Sequence, residues 1–346
     1  MRDSIYGQVM RVRRRRYERR PDRQRRLSKP VISVGNLSVG GTGKSPVVAA
    51  IAQWLIDQGH RPAILSRGYA RQANVDGVVV VADGHTVVST LDRSGDEPLM
   101  LARQVAGAIV CVSPDRYLAG TLAEQQLGAS VHVLDDGFQH LELARDLDVL
   151  VTTMGEIPNG KVLPAGRLRE PMDAAARAQL LVVTDATAGA ASSEAWALGI
   201  SQSCGALRTL GAPAAVRNQG SGIGDQGAGI RERGSKILAV AGIAHPERFT
   251  DALRGAGWDV TGAMPFPDHH RYSRSDLTSI ATKAVSVGAT AVFTTDKDAV
   301  RFEAAGDIPF QLYRVPMTVA FDPPDVLFEA VRATIAASAS APEVRR

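Results

Sequence analysis

The octet Ser38-Val39-Gly40-Gly41-Thr42-Gly43-Lys44-Ser45, set directly after the apolar run Val31–Val34, constrains this chain more than any other feature. Glycines at 40, 41 and 43 let the backbone curl with its N–H groups turned inward, the geometry that cradles phosphate oxygens. Lys44 and Ser45 stand where such a loop puts its phosphate-binding ammonium and its Mg²⁺-binding hydroxyl. A helix must follow, so that its N-terminal dipole also faces the anion. Val47, Ile51 and Leu55 recur on one helical face, Pro46 falls in the first turn where a missing N–H costs nothing, and Gly59 is a natural stop. Ser38 replaces the glycine that usually opens the pattern, but strand, loop and helix together meet the motif's own test. Residues Ser38 to Ser45 are therefore read as a nucleotide-binding loop for ATP with Mg²⁺.

Around the loop, short apolar runs alternate with helical patterns: Ile109–Val112, Val131–Leu134, Val149–Val151 and Leu181–Val183. That alternation predicts an α/β fold, a P-loop NTPase-like parallel sheet flanked by helices. Val78–Val81 and Thr86–Val88 flank Asp83-Gly84, a hairpin-turn signal. Between Gly211 and Ser235 seven glycines punctuate a polar stretch, after which Ile237–Ala241 and Ala291–Thr295 resume the α/β pattern and a last amphipathic helix lies around Asp325–Ala336. The expected organisation is a basic arm (1–29), a P-loop domain (30–210), a Gly-rich linker (211–235), a second, smaller α/β domain (236–338) and a tail (339–346).

Charge is unevenly placed. Residues 1–30 hold 11 Arg and one Lys against Asp3, Glu18 and Asp22, so the pI of 9.2 describes this arm while the remainder is net acidic. Such an arm attracts an anionic membrane surface or nucleic acid, or stays a solvated, disordered tail. Only Tyr17 interrupts its arginines, so base stacking is not expected and no specific nucleic acid is implied. Two distant cysteines, Cys111 and Cys204, offer neither a disulfide framework nor a zinc site. There is no secretory h-region and no apolar run of the roughly 18–20 residues a spanning helix needs, so any membrane contact is expected to be peripheral.

The run Val131–Leu134 ends in Asp135-Asp136. Acids at the carboxyl end of a parallel strand beside a P-loop are where such folds present a metal-associated carboxylate, and either residue fits. A guanine-specific Asn-Lys-x-Asp is missing: Thr295-Asp296-Lys297-Asp298 puts Ala299 where the second acid belongs. A partitioning-type ATPase carries a lysine before the paired glycines, where this chain has Val39.

Six further strings occur in order: Ser66-Arg67-Gly68-Tyr69, Ser94-Gly95-Asp96-Glu97-Pro98, Asp135-Asp136-Gly137-Phe138-Gln139-His140, Pro164-Ala165-Gly166-Arg167-Leu168-Arg169-Glu170-Pro171, Pro267-Asp268-His269-His270 and Thr294–Val300. With the loop, from about Pro30 to Phe321, they resemble the tetraacyldisaccharide 4′-kinases, the lipid A 4′-kinase family of Gram-negative-type bacteria. The resemblance implies transfer of the ATP γ-phosphate to the 4′-hydroxyl of an acylated glucosamine disaccharide 1-phosphate, by a peripheral enzyme on the cytoplasmic face of the inner membrane. It implies catalytic roles for Asp96, His269, Lys44 and Arg169, with Asp96 taking the hydroxyl proton and His269 as its partner. Ser45, Asp135 and Asp136 are implied to be the metal-associated groups, and Arg67, Glu170 and Asp268 further members of the site. Without the resemblance Asp96 reads first as a helix cap, His269 and His270 read as loop histidines, and Thr294–Val300 as a helix start without chemistry.

Three features depart from the family's pattern. The N-terminus offers only Ile5, Val9, Met10 and Val12 as an apolar stripe amid arginines, so charge is expected to carry much of the membrane attraction, about 1 kcal/mol per basic residue. Ala70 and Arg167 stand where the family's strings differ. The alternative reading is a P-loop ATPase acting as a nucleotide-dependent switch, which would hydrolyse ATP without a lipid acceptor.

Overall fold

A run of β-branched and aliphatic residues with no alternation can be stable only as a strand covered on both faces. The computed structural model, which describes residues 5–68, 71, 75–157, 160–216 and 234–340, builds its centre from such runs. They are β1 (Val31–Gly35), β2 (Pro62–Ser66), β3 (Val79–Asp83), β4 (Ile109–Val112), β5 (Val131–Asp135), β6 (Leu147–Thr153), β7 (Leu180–Thr184) and β8 (Gln202–Leu210). A second sheet is formed by β9 (Ala214–Ala215), β10 (Lys236–Ala241), β11 (Asp259–Pro265), β12 (Ala291–Thr295) and β13 (Leu312–Val315), in the order β11-β10-β12-β13-β9. The last strand, β14 (Met317–Asp322), returns to the first sheet, whose order is β14-β8-β7-β6-β1-β5-β2-β4-β3. Only its edge strands β3 and β14 run antiparallel.

The helices are α1 (Ile5–Glu18), α2 (Lys44–Asp57), α3 (Leu91–Ser94), α4 (Asp96–Gln104), α5 (Arg116–Leu127), α6 (Ala188–Leu198), α7 (Pro246–Gly255), α8 (Arg274–Ser286), α9 (Asp296–Ala304) and α10 (Val326–Ser340). The main core lies between the first sheet and α2, α4 and α10, with Val47, Ile51 and Leu55 of α2 buried as their spacing predicts. Because β1 sits between β5 and β6, the loop leaving it and the acids leaving β5 emerge side by side at the carboxyl end of the sheet. The two sheets meet where α4 packs on α9, reinforced by an Arg103–Glu303 ion pair at 2.5 Å.

The expected second domain, 236–338, ends too late. β14 pairs with β8 from Met317↔Leu210 to Asp322↔Gly205, and α10 buries Leu327 and Val331 in the main core while Phe328 stacks on Trp54 at 5.3 Å. These residues complete the P-loop sheet because its edge and one face would otherwise stay uncovered. The expected linker, 211–235, begins too early: Gly211 N–H donates to Pro316 O at 2.8 Å and Ala214-Ala215 pairs with β13, while residues 217–233 lie outside the described residues. The hairpin signal at Asp83-Gly84 gives a turn capped by the Asp83 carboxylate, which accepts from His85 N and Thr86 N at 2.8 Å, but its second arm is a single bridge, Ala82↔Val87.

The basic arm is no free tail over its described part. Residues 5–18 are helical, and Arg14 donates to Asp173 Oδ2 at 2.8 Å, Arg25 to both oxygens of Asp115, and Arg26 to Asp146 at 2.7 Å. The net-acidic body supplies the carboxylates that hold the arm down.

Candidate active site

Gly40 and Gly43 adopt φ of 119° and 83°, so the loop needs their freedom from a Cβ. A side chain at Gly40 would also run into the Arg167 guanidinium, which donates to Val39 O at 2.6 and 3.0 Å. The Pro164–Pro171 string thereby finds its place beside the loop. Val39 N donates to Arg167 O at 2.8 Å, Arg169 N to Leu37 O at 2.6 Å, and Leu168 bridges Ser38. Inside, fully buried Asn36 donates to Ser38 Oγ at 3.3 Å and Thr42 Oγ1 at 3.0 Å, and its Oδ1 accepts from Lys44 Nζ at 3.0 Å.

Lys44 Nζ also lies 3.3 Å from Asp136 Oδ1, and Arg169 donates to Asp136 Oδ2 at 2.7 Å. Burial works against the Asp136 charge, but Lys44 and Arg169 outweigh it and hold the carboxyl below its ordinary value. Asp135 is held differently. It is buried, accepts from Ser66 Oγ at 3.1 Å, and burial pushes its carboxyl up, with the charges of Glu97 and Asp136 adding to the effect. Ser45 opens α2 next to Lys44.

Ser45, Asp135 and Asp136 offer only hard oxygens, the donor type Mg²⁺ prefers. Among the described residues Asp136 Oδ1 is buried and faces the Lys44 ammonium at 3.3 Å without a further donor, so a lone pair remains for a cation. Among the described residues no three Asp, Glu, His or Cys side chains form a metal cage, which suits an ion held by one or two carboxylates plus phosphate oxygens and water. On the other flank of the loop a cavity of about 370 Å³ is bounded by Gly41, Thr42, Thr184 and Asp185, with His245 and Arg248 closing it from the second sheet's side. Asp185, with φ of 57°, pairs there with Arg208.

The second cluster joins the two sheets. Asp96 begins α4, and His269 lies in the loop after β11 with φ of 61°, a left-handed conformation uncommon outside glycine. His269 Nδ1 is 2.8 Å from Asp96 Oδ2. Burial would raise the Asp96 carboxyl, but the His269 hydrogen bond and the charges of Lys297 and Arg301 prevail, holding it well below the usual carboxylate range. An ionised carboxylate only accepts, so Nδ1 carries a proton, while Nε2 lies 3.5 Å from Lys297 Nζ. Lys297 also lies 3.3 Å from Glu97 and 3.7 Å from Asp268, whose Oδ2 is 3.8 Å from His269 Nε2. Glu97 ties the clusters together, being paired with Lys297 and close enough to act on Asp135.

The structure thus gathers Lys44, Asp136 and Arg169 in one group and Asp96, His269 and Asp268 in another. It leaves two expected members aside. Glu170, buried, meets Gln139 Nε2 at 3.3 Å and Arg177 at 3.8 Å, and reaches Arg169 only through Gln139, whose Oε1 accepts from Arg169 Nη1 at 3.3 Å, among the described residues. Arg67 is exposed at the end of β2. Its charge is felt by buried Arg116, whose pKa burial lowers to about 10, with Asp135 opposing and Arg67 assisting. Sequence reasoning missed Asn36, which no motif singles out, and Lys297, Asp298 and Arg301. Lys297 and Asp298 stand in the Thr294–Val300 string, whose role depends on α9 lying against α4.

The comparisons with known proteins agree with one another. A family profile described as Tetraacyldisaccharide-1-P 4′-kinase matches residues 3–336. The chain is 42% identical over 303 residues to a tetraacyldisaccharide 4′-kinase of Geobacter sulfurreducens, covering 87% of this chain and 82% of that one. It is 36% identical over 329 residues to that of Desulfotalea psychrophila, covering 92% of each. Among solved structures it is similar to the "apo" form LpxK from Aquifex aeolicus in complex with ATP, with a TM-score of 0.74, 27% identity and 96% of both chains covered.

Proposed function

The chain belongs to the tetraacyldisaccharide-1-P 4′-kinase family, and from that premise we propose how its residues carry the reaction. The reaction is ATP-dependent phosphorylation of the 4′-hydroxyl of a tetraacyldisaccharide 1-phosphate in lipid A synthesis. The loop from Ser38 to Ser45 binds the ATP phosphates, and the cavity beside Thr184 and Asp185 takes the nucleoside. Ser45, Asp135 and Asp136 would hold Mg²⁺, which would supply neutralising positive charge to the ATP phosphates. Lys44 and Arg169 add fixed positive charge to the transferring group, so the site stabilises the transition state mainly by electrostatics and positioning.

Asp96 receives the hydroxyl proton as the sugar oxygen attacks, while the bond from the γ-phosphorus to the β–γ bridging oxygen breaks and ADP leaves. Phosphoryl transfer of this loose kind needs little prior deprotonation, so a weakly basic carboxylate suffices if it is well placed. His269 orients it. The observation that carries this reading is the Asp96–His269 bond across the two sheets, with Glu97 linking it to Asp135. The two sheets are read as two lobes with the reaction in the cleft between them.

The acylated substrate requires the enzyme at a bilayer, and α1 is the part suited to it. Ile5, Val9 and Val12 are exposed on its outer face beside exposed Arg15 and Arg16, a pattern that favours an anionic surface such as the cytoplasmic face of the inner membrane. No helix among the described residues is long and apolar enough to cross a membrane, so the proposed attachment is peripheral.

The test is transfer of labelled γ-phosphate from ATP to tetraacyldisaccharide 1-phosphate in mixed micelles, with Mg²⁺ and with EDTA, and with Asp96→Asn alongside. Labelled lipid that requires Mg²⁺ and collapses in the variant supports the assignment. ATP turnover without labelled lipid would point instead to a nucleotide switch.

A further inference from the structure

Asp96 is bound by more than its histidine. Arg301, buried on α9, places both Nε and Nη2 on Asp96 Oδ2, the former at 3.0 Å. Its remaining nitrogen, Nη1, donates to Gly242 O at 2.8 Å and to Asp298 Oδ1 at 3.0 Å. Asp298 is itself fully buried and receives Gly242 N–H at 3.1 Å, Tyr272 Oη at 3.1 Å and Thr295 Oγ1 at 2.7 Å. The guanidinium is therefore a strut between a fixed carboxylate in the second sheet's layer and the working carboxylate at the start of α4.

We infer that Arg301 is a positioning residue for phosphoryl transfer, one that holds Oδ2 of Asp96 so that Oδ1 is presented to the sugar hydroxyl. The inference rests on the proposed role of Asp96 as proton acceptor. Among the described residues Oδ2 takes His269 Nδ1–H and two Arg301 donors, whereas Oδ1 takes one donor, the Glu97 N–H at 2.9 Å. A carboxylate oxygen has two lone pairs, so Oδ1 keeps one for the substrate while Oδ2 is saturated. The groups facing Asp96 are His269 from the loop after β11, Lys297 and Arg301 from α9, and Glu97 of its own helix, with Asp298 and Asp268 behind them.

The choice of arginine follows from geometry. A planar guanidinium with five N–H groups reaches both Asp96 and Asp298 at once, whereas a lysine ammonium is a single point charge. Lys297, four residues earlier and half-buried, satisfies Glu97 and His269 without touching Asp96 directly. A purely structural Arg301 would matter for stability alone. A positioning Arg301 also sets how readily Asp96 is protonated, because removing the cation makes the carboxylate more basic and moves the acid limb of the pH–rate profile upward.

The experiment compares Arg301→Met, Arg301→Lys and Asp298→Asn with wild type and Asp96→Asn, using the full chain, labelled ATP and tetraacyldisaccharide 1-phosphate in mixed micelles across pH. ATP binding and thermal melting are followed in parallel. Arg301→Met should lower kcat about 10- to 100-fold with KM for ATP within about twofold, and should raise the acid limb by about one pH unit. Arg301→Lys should recover part of kcat and return the acid limb toward wild type. A folded Arg301→Met enzyme with the wild-type acid limb, or a loss expressed only in KM for ATP, overturns the inference. If Arg301→Met does not melt cooperatively, Asp298→Asn decides: it should lower kcat severalfold, and an unchanged kcat overturns the inference. Asp96→Asn that retains wild-type kcat would sink the underlying assignment instead, so the two failures are distinguishable.

Discussion

His269 Nδ1 stands 2.8 Å from Asp96 Oδ2, joining the start of α4 to the loop after β11 across 173 positions of chain. Neither residue is placed by its own element alone. Asp96 is fixed because α4 starts immediately after Gly95, and His269 because its loop turns through a left-handed φ of 61°. Asp96→Asn keeps the shape but loses the charge that accepts a proton, so kcat should fall about 10²- to 10⁴-fold with ATP affinity retained. Steady-state phosphate transfer and equilibrium ATP binding, measured on the same preparation, check both halves. Loss of ATP binding equal to the loss of kcat would remove Asp96 from the chemistry.

Asn36 and Lys44 form the second pair that matters. Asn36 has no place in the P-loop pattern, yet its amide braces Ser38 and Thr42 and its Oδ1 receives the Lys44 ammonium. Asn36→Ala strips three hydrogen bonds, two of them buried, from the loop while leaving the glycines untouched. ATP affinity should fall about tenfold or more, since each such bond contributes about 0.5–1.5 kcal/mol. Titration calorimetry with ATP checks this, and an unchanged affinity would show that the glycine backbone holds the loop unaided.

The contrast between these residues explains what the sequence made legible. The P-loop, its strand and its helix were readable because backbone freedom, periodicity and ligand chemistry coincide in one short stretch. Asp135 and Asp136 were readable because they end a strand beside it. Arg301 was not: its meaning depends on α9 lying against α4, a contact no local pattern encodes. The fate of β14 and α10 was hidden for a similar reason, since returning to the first sheet is decided by an uncovered edge and core formed much earlier in the chain. The docked arm was missed because its ion pairs join Arg14, Arg25 and Arg26 to acids roughly 90 to 160 residues away.

The junction between arm and sheet carries a pH dependence. Glu124 accepts from Ser28 Oγ at 2.6 Å, Lys29 N at 2.8 Å and His132 Nε2 at 3.0 Å, His132 being wholly buried in β5. Burial opposes its charge, but these partners outweigh it and push its carboxyl down to about 2 from 4.5. A lowered folded-state pKa stabilises above the unfolded value, and that stability is lost as pH falls from about 4.5 toward 2. Glu124→Gln should therefore cost about 1–2 kcal/mol at pH 7, discounted for the partial exposure of Glu124. The difference from wild type should shrink below about pH 4.5. Melting curves of both proteins from pH 7 to pH 3 check it, and a gap independent of pH would assign the loss to packing.

The helix α1 is inside-out relative to an ordinary surface helix, and that sets its prediction. A helix of a water-soluble protein turns its apolar stripe to the core and its charges to solvent. Here Gly7 and Arg14 face the body, with Arg14 only 6% exposed, while Ile5, Val9 and Val12 are 83%, 58% and 67% exposed. The spacing of five, nine and twelve puts these three on one face, which is largely exposed among the described residues. Three aliphatic side chains entering the acyl boundary contribute about 1.5–3 kcal/mol each at full burial, and nearby arginines about 1 kcal/mol each at an anionic surface. Replacing all three by serine should lower binding to anionic vesicles about 100-fold or more, because about 2.7 kcal/mol already corresponds to that factor. The melting temperature should change little, since all three side chains are largely exposed. Flotation with anionic and neutral vesicles separates the two contributions. Wild type should bind anionic vesicles more tightly and lose the advantage at high salt, while the serine variant should bind both poorly. A variant that floats like wild type would mean the arginines alone hold the enzyme to the bilayer.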